Sequence, residues 1–193
     1  MQIIKTGKKT VELAVNVLQQ GGLVIYPTET VYGIGVDATN AEAVKKLTKY
    51  KERPFGKPYS IVVADLKMAL EFADLNSTAK NLYKEFLPGP MTIISKGKHK
   101  LAPGVESEEG TVGIRIPEYK LVIDIVTNLG KPITATSANA SYKKRPYAIA
   151  DILENISIKQ KGLIDLIIDV GKLPHNEPST VIDTTLDDPV TLR

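Results

Sequence analysis

Two hydrophobic periods alternate along this chain, and that alternation restricts its fold more than any other feature. Val11, Ala14, Val15 and Leu18 fall at i, i+3, i+4 and i+7 ahead of Gly21-Gly22, so residues 9–20 predict an amphipathic helix with a glycine C-cap. The same stripe returns at Leu66, Ala69, Leu70 and Ala73, at Ala79, Leu82, Tyr83 and Phe86, and at Val122, Ile125, Val126 and Leu129, the last closed by Gly130. Between these stripes lie short β-rich runs at 23–26, 60–63, 91–95, 112–116, 133–136, 166–170 and 179–183, bounded by Gly, Pro, Asp or Asn. Such alternation predicts an α/β fold, a twisted β-sheet flanked by helices. The abutting strands near 91–95 and 112–116 make that sheet mixed. No repeat, heptad or Pro/Gly/Ser-rich linker divides the chain, so residues 1–193 are expected to form one domain.

Composition removes several chemistries. With no cysteine there is no disulfide framework, thiolate nucleophile or Cys-ligated zinc, and two histidines, His99 and His175, do not make a His-rich metal site. Neither histidine has a spaced partner for a triad, and both read as solvated loop residues. Gly-x-x-x-x-Gly-Lys-Ser/Thr is missing, so the chain is not a P-loop protein. A formal charge of +3 gives only a weak lean toward polyanions. No stretch approaches the roughly 20 apolar residues of a membrane span, and the N-terminal segment lacks a signal-peptide core. The expectation is a soluble, cytoplasmic protein with no membrane partner.

Three segments look unlike packing. Tyr26–Gly35, Leu87–Pro90 and Thr134–Asn139 follow strand ends with glycines, prolines and small hydroxyl residues, where backbone N–H groups can approach a phosphate or carboxylate. Each is a candidate ligand wall, against the simpler reading as a turn. Residues 49–57 hold four cations in nine positions. The helix macrodipole accounts for Lys49 and Lys51 but not for Arg53 and Lys57, which stand among prolines that hold them in fixed directions and favour polyphosphate. Arg115, in Thr111–Pro117, alternates with Val112, Ile114 and Ile116, so it is partly desolvated and needs an anion: a structural carboxylate or a ligand. No paired carboxylates emerge for acid/base work, so chemistry here rests on positioning and charge stabilisation.

Taken together, YPTETVYGIG (26–35), KERP (51–54), LPGPMTII (87–94), VGIRIP (112–117), PITATSAN (132–139) and PSTVID (178–183) resemble the YrdC-like family, the threonylcarbamoyl-adenylate synthases of tRNA modification, in its short single-domain form. The resemblance implies an enzyme that joins L-threonine, bicarbonate or carbon dioxide, and ATP into threonylcarbamoyl-adenylate and pyrophosphate with a divalent cation, normally Mg2+. It also implies a partner, the transferase complex that modifies the adenosine beside the anticodon of ANN-decoding tRNAs. On the same basis Thr30 and Arg115 correspond to the threonine-binding pair, with Tyr32 walling that site. Lys51, Arg53 and Lys57 are similar to the phosphate-binding cations. Thr111, Ser137 and Asn139, and more weakly Arg145, Ser179, Thr180 and Arg193, fall on the nucleotide side. The chain departs from the family pattern in two places. Ser141 is followed by Tyr142-Lys143-Lys144-Arg145 rather than Gly, and the 60–63 strand lacks a histidine.

A different class of function, a double-stranded RNA or tRNA-binding module without catalysis, would use Lys96, Lys98, Lys100, Lys143, Lys144 and Arg145 as phosphate contacts, with steep salt dependence. Solvated loops are the simpler account of those cations, and weak RNA binding can coexist with the synthase.

Overall fold

The computed structural model describes residues 1–54, 56–140 and 143–192. Its elements run β1 (Gln2–Lys5), α1 (Thr10–Gln19), β2 (Val24–Tyr26), β3 (Gly33–Gly35), α2 (Ala41–Lys51), β4 (Ser60–Val62), α3 (Leu66–Phe72), β5 (Ala73–Asp74) and α4 (Ser77–Phe86). They continue β6 (Met91–Gly97), β7 (Thr111–Arg115), α5 (Lys120–Leu129), β8 (Ile133–Ser137), α6 (Ile149–Leu153), α7 (Ile158–Lys161), β9 (Leu166–Asp169), β10 (Thr180–Asp183) and β11 (Val190–Thr191). The α/β class and the mixed sheet are as the sequence predicts. The strands follow the order β1-β9-β2-β3-β8-β4-β7-β6-β10-β11, with β5 beside β6. β4 and β7 are parallel, while β6 and β7, the abutting pair, are antiparallel.

Local chemistry fixes several helix ends. The Asn40 side chain accepts from the backbone N–H of Glu42 and Ala43 and so starts α2. Glu52 ends it in the left-handed conformation, φ 47°, a position a glycine more often fills. Asp65 and Asn76 cap α3 and α4 in the same way as Asn40. The predicted stripes of α1 and α5 bury as expected, Ala14, Val15 and Leu18 meeting Val122, Ile125, Val126 and Leu129 in one cluster over Val24, Val62, Ile133, Leu166 and Ile168, whereas Leu70 of α3 and Phe86 of α4 stay exposed. The alternate residues Ile25, Ile34, Ile61, Ile114 and Ile167 face the other way, into the cluster that includes Val44, Leu47 and Tyr50 of α2.

Some elements were not legible from the sequence. Gly33–Gly35 reads as part of a glycine-rich turn but is a strand, paired antiparallel to β2 on one side and β8 on the other. Its glycines are there for space: a Cβ on Gly33 would stand 2.8 Å from the Tyr26 ring, and one on Gly35 would stand 2.6 Å from the Thr134 carbonyl oxygen. β1 is an exposed edge strand, and α6 and α7 are too short to show a stripe.

Candidate functional site

Register lines up one face of the sheet into a row. Tyr26 pairs with Gly33, Gly33 with Ser137, Ala135 with Ser60, and Val62 with Arg115. Thr92 continues the row to Val181. Because side chains alternate, all of these project to the same side. They form the floor of a cleft of about 530 Å³ whose walls include Thr28, Thr30, Lys51, Arg53, Lys57, Asn139, Arg145 and Ser179. The floor is kept low by glycine, since a Cβ on Gly113 would stand 2.7 Å from Ser60 Oγ. α1 and α5 pack on this face, and the cleft takes the part they leave open.

At one end of the cleft Arg115 projects from the end of β7. Its Nη2 donates to Glu29 Oε1 at 2.7 Å, and its guanidinium reaches Thr30 Oγ1 at 3.3–3.4 Å. The side chains of Arg115 and Glu29 are only 11% and 17% exposed, so this ion pair is screened little by water. The carboxylate-or-ligand alternative for Arg115 is thus answered on one side by Glu29, while Arg115 Nε is left buried without a hydrogen-bond partner, as is Glu29 Oε2. The Thr28–Val31 turn that carries this end is held by one hydroxyl: Thr28 Oγ1 accepts from the N–H groups of Thr30 and Val31 and donates to Val31 O. Tyr26 lies beside it with its hydroxyl donating to Thr134 O at 3.1 Å, and burial pushes its ionisation well above the usual phenol range.

The other end is built from the C-terminus of α2. Tyr50 donates its hydroxyl to Ala138 O at 2.6 Å, and Lys51 Nζ donates to the carbonyls of Ser137, at 2.7 Å, and Asn139. The last turn of α2 is thereby bolted to the segment that leaves β8. Lys51 is 3% exposed. Burial and the neighbouring charges of Arg53 and Lys57 lower its pKa from 10.5 to about 7. A macrodipole role therefore does not account for Lys51, which faces the cleft. Arg53 stacks over the Tyr59 ring at 4.3 Å and donates to the carbonyls of Lys57 and Pro58, so its direction is fixed. Ser137 Oγ donates to Asn139 Oδ1, and Asn139 Nδ2 donates to Lys143 O at 2.6 Å.

Residues 16–193 match the model of the Sua5/YciO/YrdC family, described as telomere recombination. The chain belongs to this family. It is 36% identical to a putative threonylcarbamoyl-AMP synthase of Methanocaldococcus jannaschii over 96% of this chain and 86% of that protein. It is 35% identical to the threonylcarbamoyl-AMP synthase of Bacillus subtilis over 98% of this chain and 54% of that protein. The crystal structure of Pyrococcus abyssi Sua5 complexed with L-threonine superposes on the whole chain with a TM-score of 0.92 at 32% identity, covering 57% of that protein. The chain thus spans about half the length of the B. subtilis and P. abyssi proteins.

Within this Sua5/YciO/YrdC fold most of the expected site residues converge. Thr30, Lys51, Arg53, Lys57, Arg115, Ser137, Asn139, Arg145 and Ser179 all line the one cleft. Four expectations do not hold in that form. Tyr32 does not wall the cleft: one residue out of phase with Gly33, it is fully buried and its hydroxyl donates to Gly171 O at 2.8 Å. The tyrosine that lines the cleft is Tyr26, on its floor. Thr111 sits two pleats back along β7 from Arg115, with its hydroxyl paired to Ser107 at 2.9 Å. Thr180 points to the opposite side from the cleft-lining Ser179 and Val181. The Leu87–Pro90 turn does not line the cleft either; it ties the start of β6 to Ile116 and Thr180 through backbone hydrogen bonds. Arg193, Ser141 and Tyr142 lie outside the described residues.

Floor residues such as Ser60 and Thr92 carry no signal in the sequence, because their place depends on sheet order and register. The cations named for an RNA surface are in part neutralised: Lys98 pairs with Asp74, Lys144 with Asp151 and Arg145 with Glu177. The histidines are engaged too: His99 Nδ1 stands 2.9 Å from Glu106, and His175 stacks on Tyr147. Among the described residues no group of three or more His, Cys, Asp or Glu could hold a metal ion, and no helix is long and apolar enough to cross a membrane.

Proposed function

We propose that this protein is a threonylcarbamoyl-AMP synthase, using ATP and L-threonine with bicarbonate or carbon dioxide. The observation that carries the reading is a single cleft with two anion-binding ends of different kinds, in a chain whose relatives bear that name. Arg115 and the Thr30 hydroxyl suit a carboxylate, since a guanidinium fork matches two carboxylate oxygens. Lys51, Arg53 and Lys57 suit a triphosphate, with Ser137, Asn139, Ser179 and Arg145 on the nucleotide side. β8 and β7 are two strands apart, so the two strands that carry these ends run about 10 Å from one another. That gap accommodates an amino acid whose amine has been carboxylated, placed against an α-phosphorus.

In this reading the threonine amine takes up carbon dioxide as a carbamate and loses a proton to water. A carbamate oxygen then attacks the α-phosphorus of ATP, and the bond to the β-phosphate oxygen breaks to release pyrophosphate. The residues contribute by holding two mutually repelling anions in line, where effective concentration and fixed cations lower the barrier. A depressed Lys51 pKa suits this: a triphosphate arriving at a half-charged ammonium restores its charge as it binds.

Mg2+ fits as a passenger of ATP. The described residues that line the cleft include no carboxylate, so protein ligands would be neutral oxygens, hydroxyls, backbone carbonyls and the Asn139 amide, and the phosphates themselves would supply most of the coordination. When bound, the ion would neutralise phosphate charge. The product is carried to a tRNA-modifying transferase, and the site of action is the cytoplasm. The test is mass-spectrometric detection of threonylcarbamoyl-adenylate after incubation with ATP, Mg2+, labelled threonine and bicarbonate. Product that carries the threonine label and vanishes when bicarbonate is withheld supports the assignment. ATP consumption without that adduct overturns it.

A further inference from the structure

We propose that Glu29 is a specificity-determining residue: by pairing with Arg115 it reserves that guanidinium for the head group of an amino acid and keeps phosphate off it. The inference rests on reading the cleft as an amino-acid and triphosphate site. Glu29 stands between Thr28 and Thr30, which line the cleft, but is itself set behind Arg115 and is not part of the wall. Its Oε1 accepts from Arg115 Nη2 at 2.7 Å and from the Glu118 backbone N–H at 3.2 Å, so the carboxylate is pinned from two sides.

The pair makes a poor stability device. Glu29 Oε2 and Arg115 Nε are both buried without a hydrogen-bond partner, and a buried pair with unmet polar atoms returns little against its desolvation. A role in discrimination explains it better. Lys51, Arg53, Lys57 and Arg145 line the same cleft, and an Arg115 without its carboxylate would be another place there for a polyphosphate to bind. With Glu29 at hydrogen-bond distance, the Arg115 end is neutral before any ligand arrives. Repulsion from Glu29 then scales with the charge of what arrives: about one to two units for inorganic phosphate and more for a polyphosphate, and, before its amine is carboxylated, none net for an amino-acid zwitterion, whose ammonium Glu29 attracts. The two substrates are sorted to opposite ends by charge before shape is read.

The experiment measures binding of inorganic phosphate to the purified full chain by calorimetry, with and without L-threonine, in the native protein, Glu29→Gln and Glu29→Asp. In the native protein threonine should leave phosphate affinity unchanged within about twofold, and in Glu29→Gln a second phosphate site should appear that threonine weakens about tenfold, because both ligands now seek Arg115. Glu29→Asp retains the charge one methylene further back and should fall between them, which keeps the test open if Glu29→Gln does not fold. Threonine–phosphate competition already present in the native protein overturns the proposal, as does its absence in both variants. A native protein that does not bind threonine at all counts against the proposed function instead. In that case an added phosphate site in Glu29→Gln, lost again in Glu29→Gln/Arg115→Gln, still supports the role of Glu29, and no added site overturns it.

Discussion

The two ends of the cleft hold buried cations by opposite means. Arg115 is balanced by a carboxylate behind it, whereas Lys51 has carbonyl oxygens before it and the cations Arg53 and Lys57 beside it. The first arrangement is an ion pair before ligand binds and the second brings like charges together. A neutral, fixed fork selects a planar head group of low net charge, while a cluster of crowded cations gains most from a polyanion that relieves their mutual repulsion. One sheet face thus offers two chemistries, although every floor residue comes from the same pleat.

The largest effect that would sharpen this comparison is expected at Arg115. Arg115→Ala strands the Glu29 carboxylate in a buried position, which should cost about 3–5 kcal/mol of stability in urea denaturation, together with loss of threonine-dependent turnover. Lys51→Met should also end turnover but cost less stability, because the about 1–3 kcal/mol for each orphaned carbonyl is offset by no longer burying an ammonium. Equal destabilisation by the two changes would break the contrast between the ends. Gly33→Ala, whose Cβ meets the Tyr26 ring at 2.8 Å, should cost about 1–3 kcal/mol and raise the KM for threonine as the ring shifts.

Proton linkage gives a subtler prediction. The folded-state pKa of Lys51, about 7, lies below its ordinary 10.5, so the unfolded chain binds the extra proton between those values. The Lys51 contribution therefore makes stability rise with pH across about 7–10.5, and the penalty is fully present below 7. A bound triphosphate raises the pKa again, so ATP binding should take up a proton above pH 7 and weaken as pH climbs. Calorimetry in buffers of different ionisation enthalpy reads this directly, and Lys51→Met should abolish the uptake. The smallest effect is expected at the exposed Arg145–Glu177 pair, 3.3 Å apart: Glu177→Gln should change stability by less than about 1 kcal/mol.

Much of this was legible in the sequence for physical reasons. The helical stripes of α1 and α5 bury as their period requires, and the β7 alternation puts Arg115 opposite Val112 and Ile114. Arg53 and Lys57 were legible as cations that no helix end explains. Parity relative to the glycines of β3 is not legible, because a three-residue Gly-Ile-Gly strand has no β signal of its own; the sequence alone therefore points to Tyr32, whereas the structure puts Tyr26 in the cleft. Ser60 and Thr92 were invisible until strand order set them beside Arg115. Glu29 lay inside a recognised motif, but only the close approach of that turn to the end of β7 reveals it as the partner of the guanidinium.

The central claim, two ends with separate duties, is tested most directly by pyrophosphate release with ATP and threonine both varied, in the native protein, Arg115→Lys and Lys57→Ala. The account predicts a crossed result. Arg115→Lys, which keeps the charge but loses the fork, should raise the threonine KM about tenfold or more and leave the ATP KM within about twofold. Lys57→Ala should do the reverse. A common shift of both constants in each variant, or pyrophosphate release that proceeds without threonine, would contradict it.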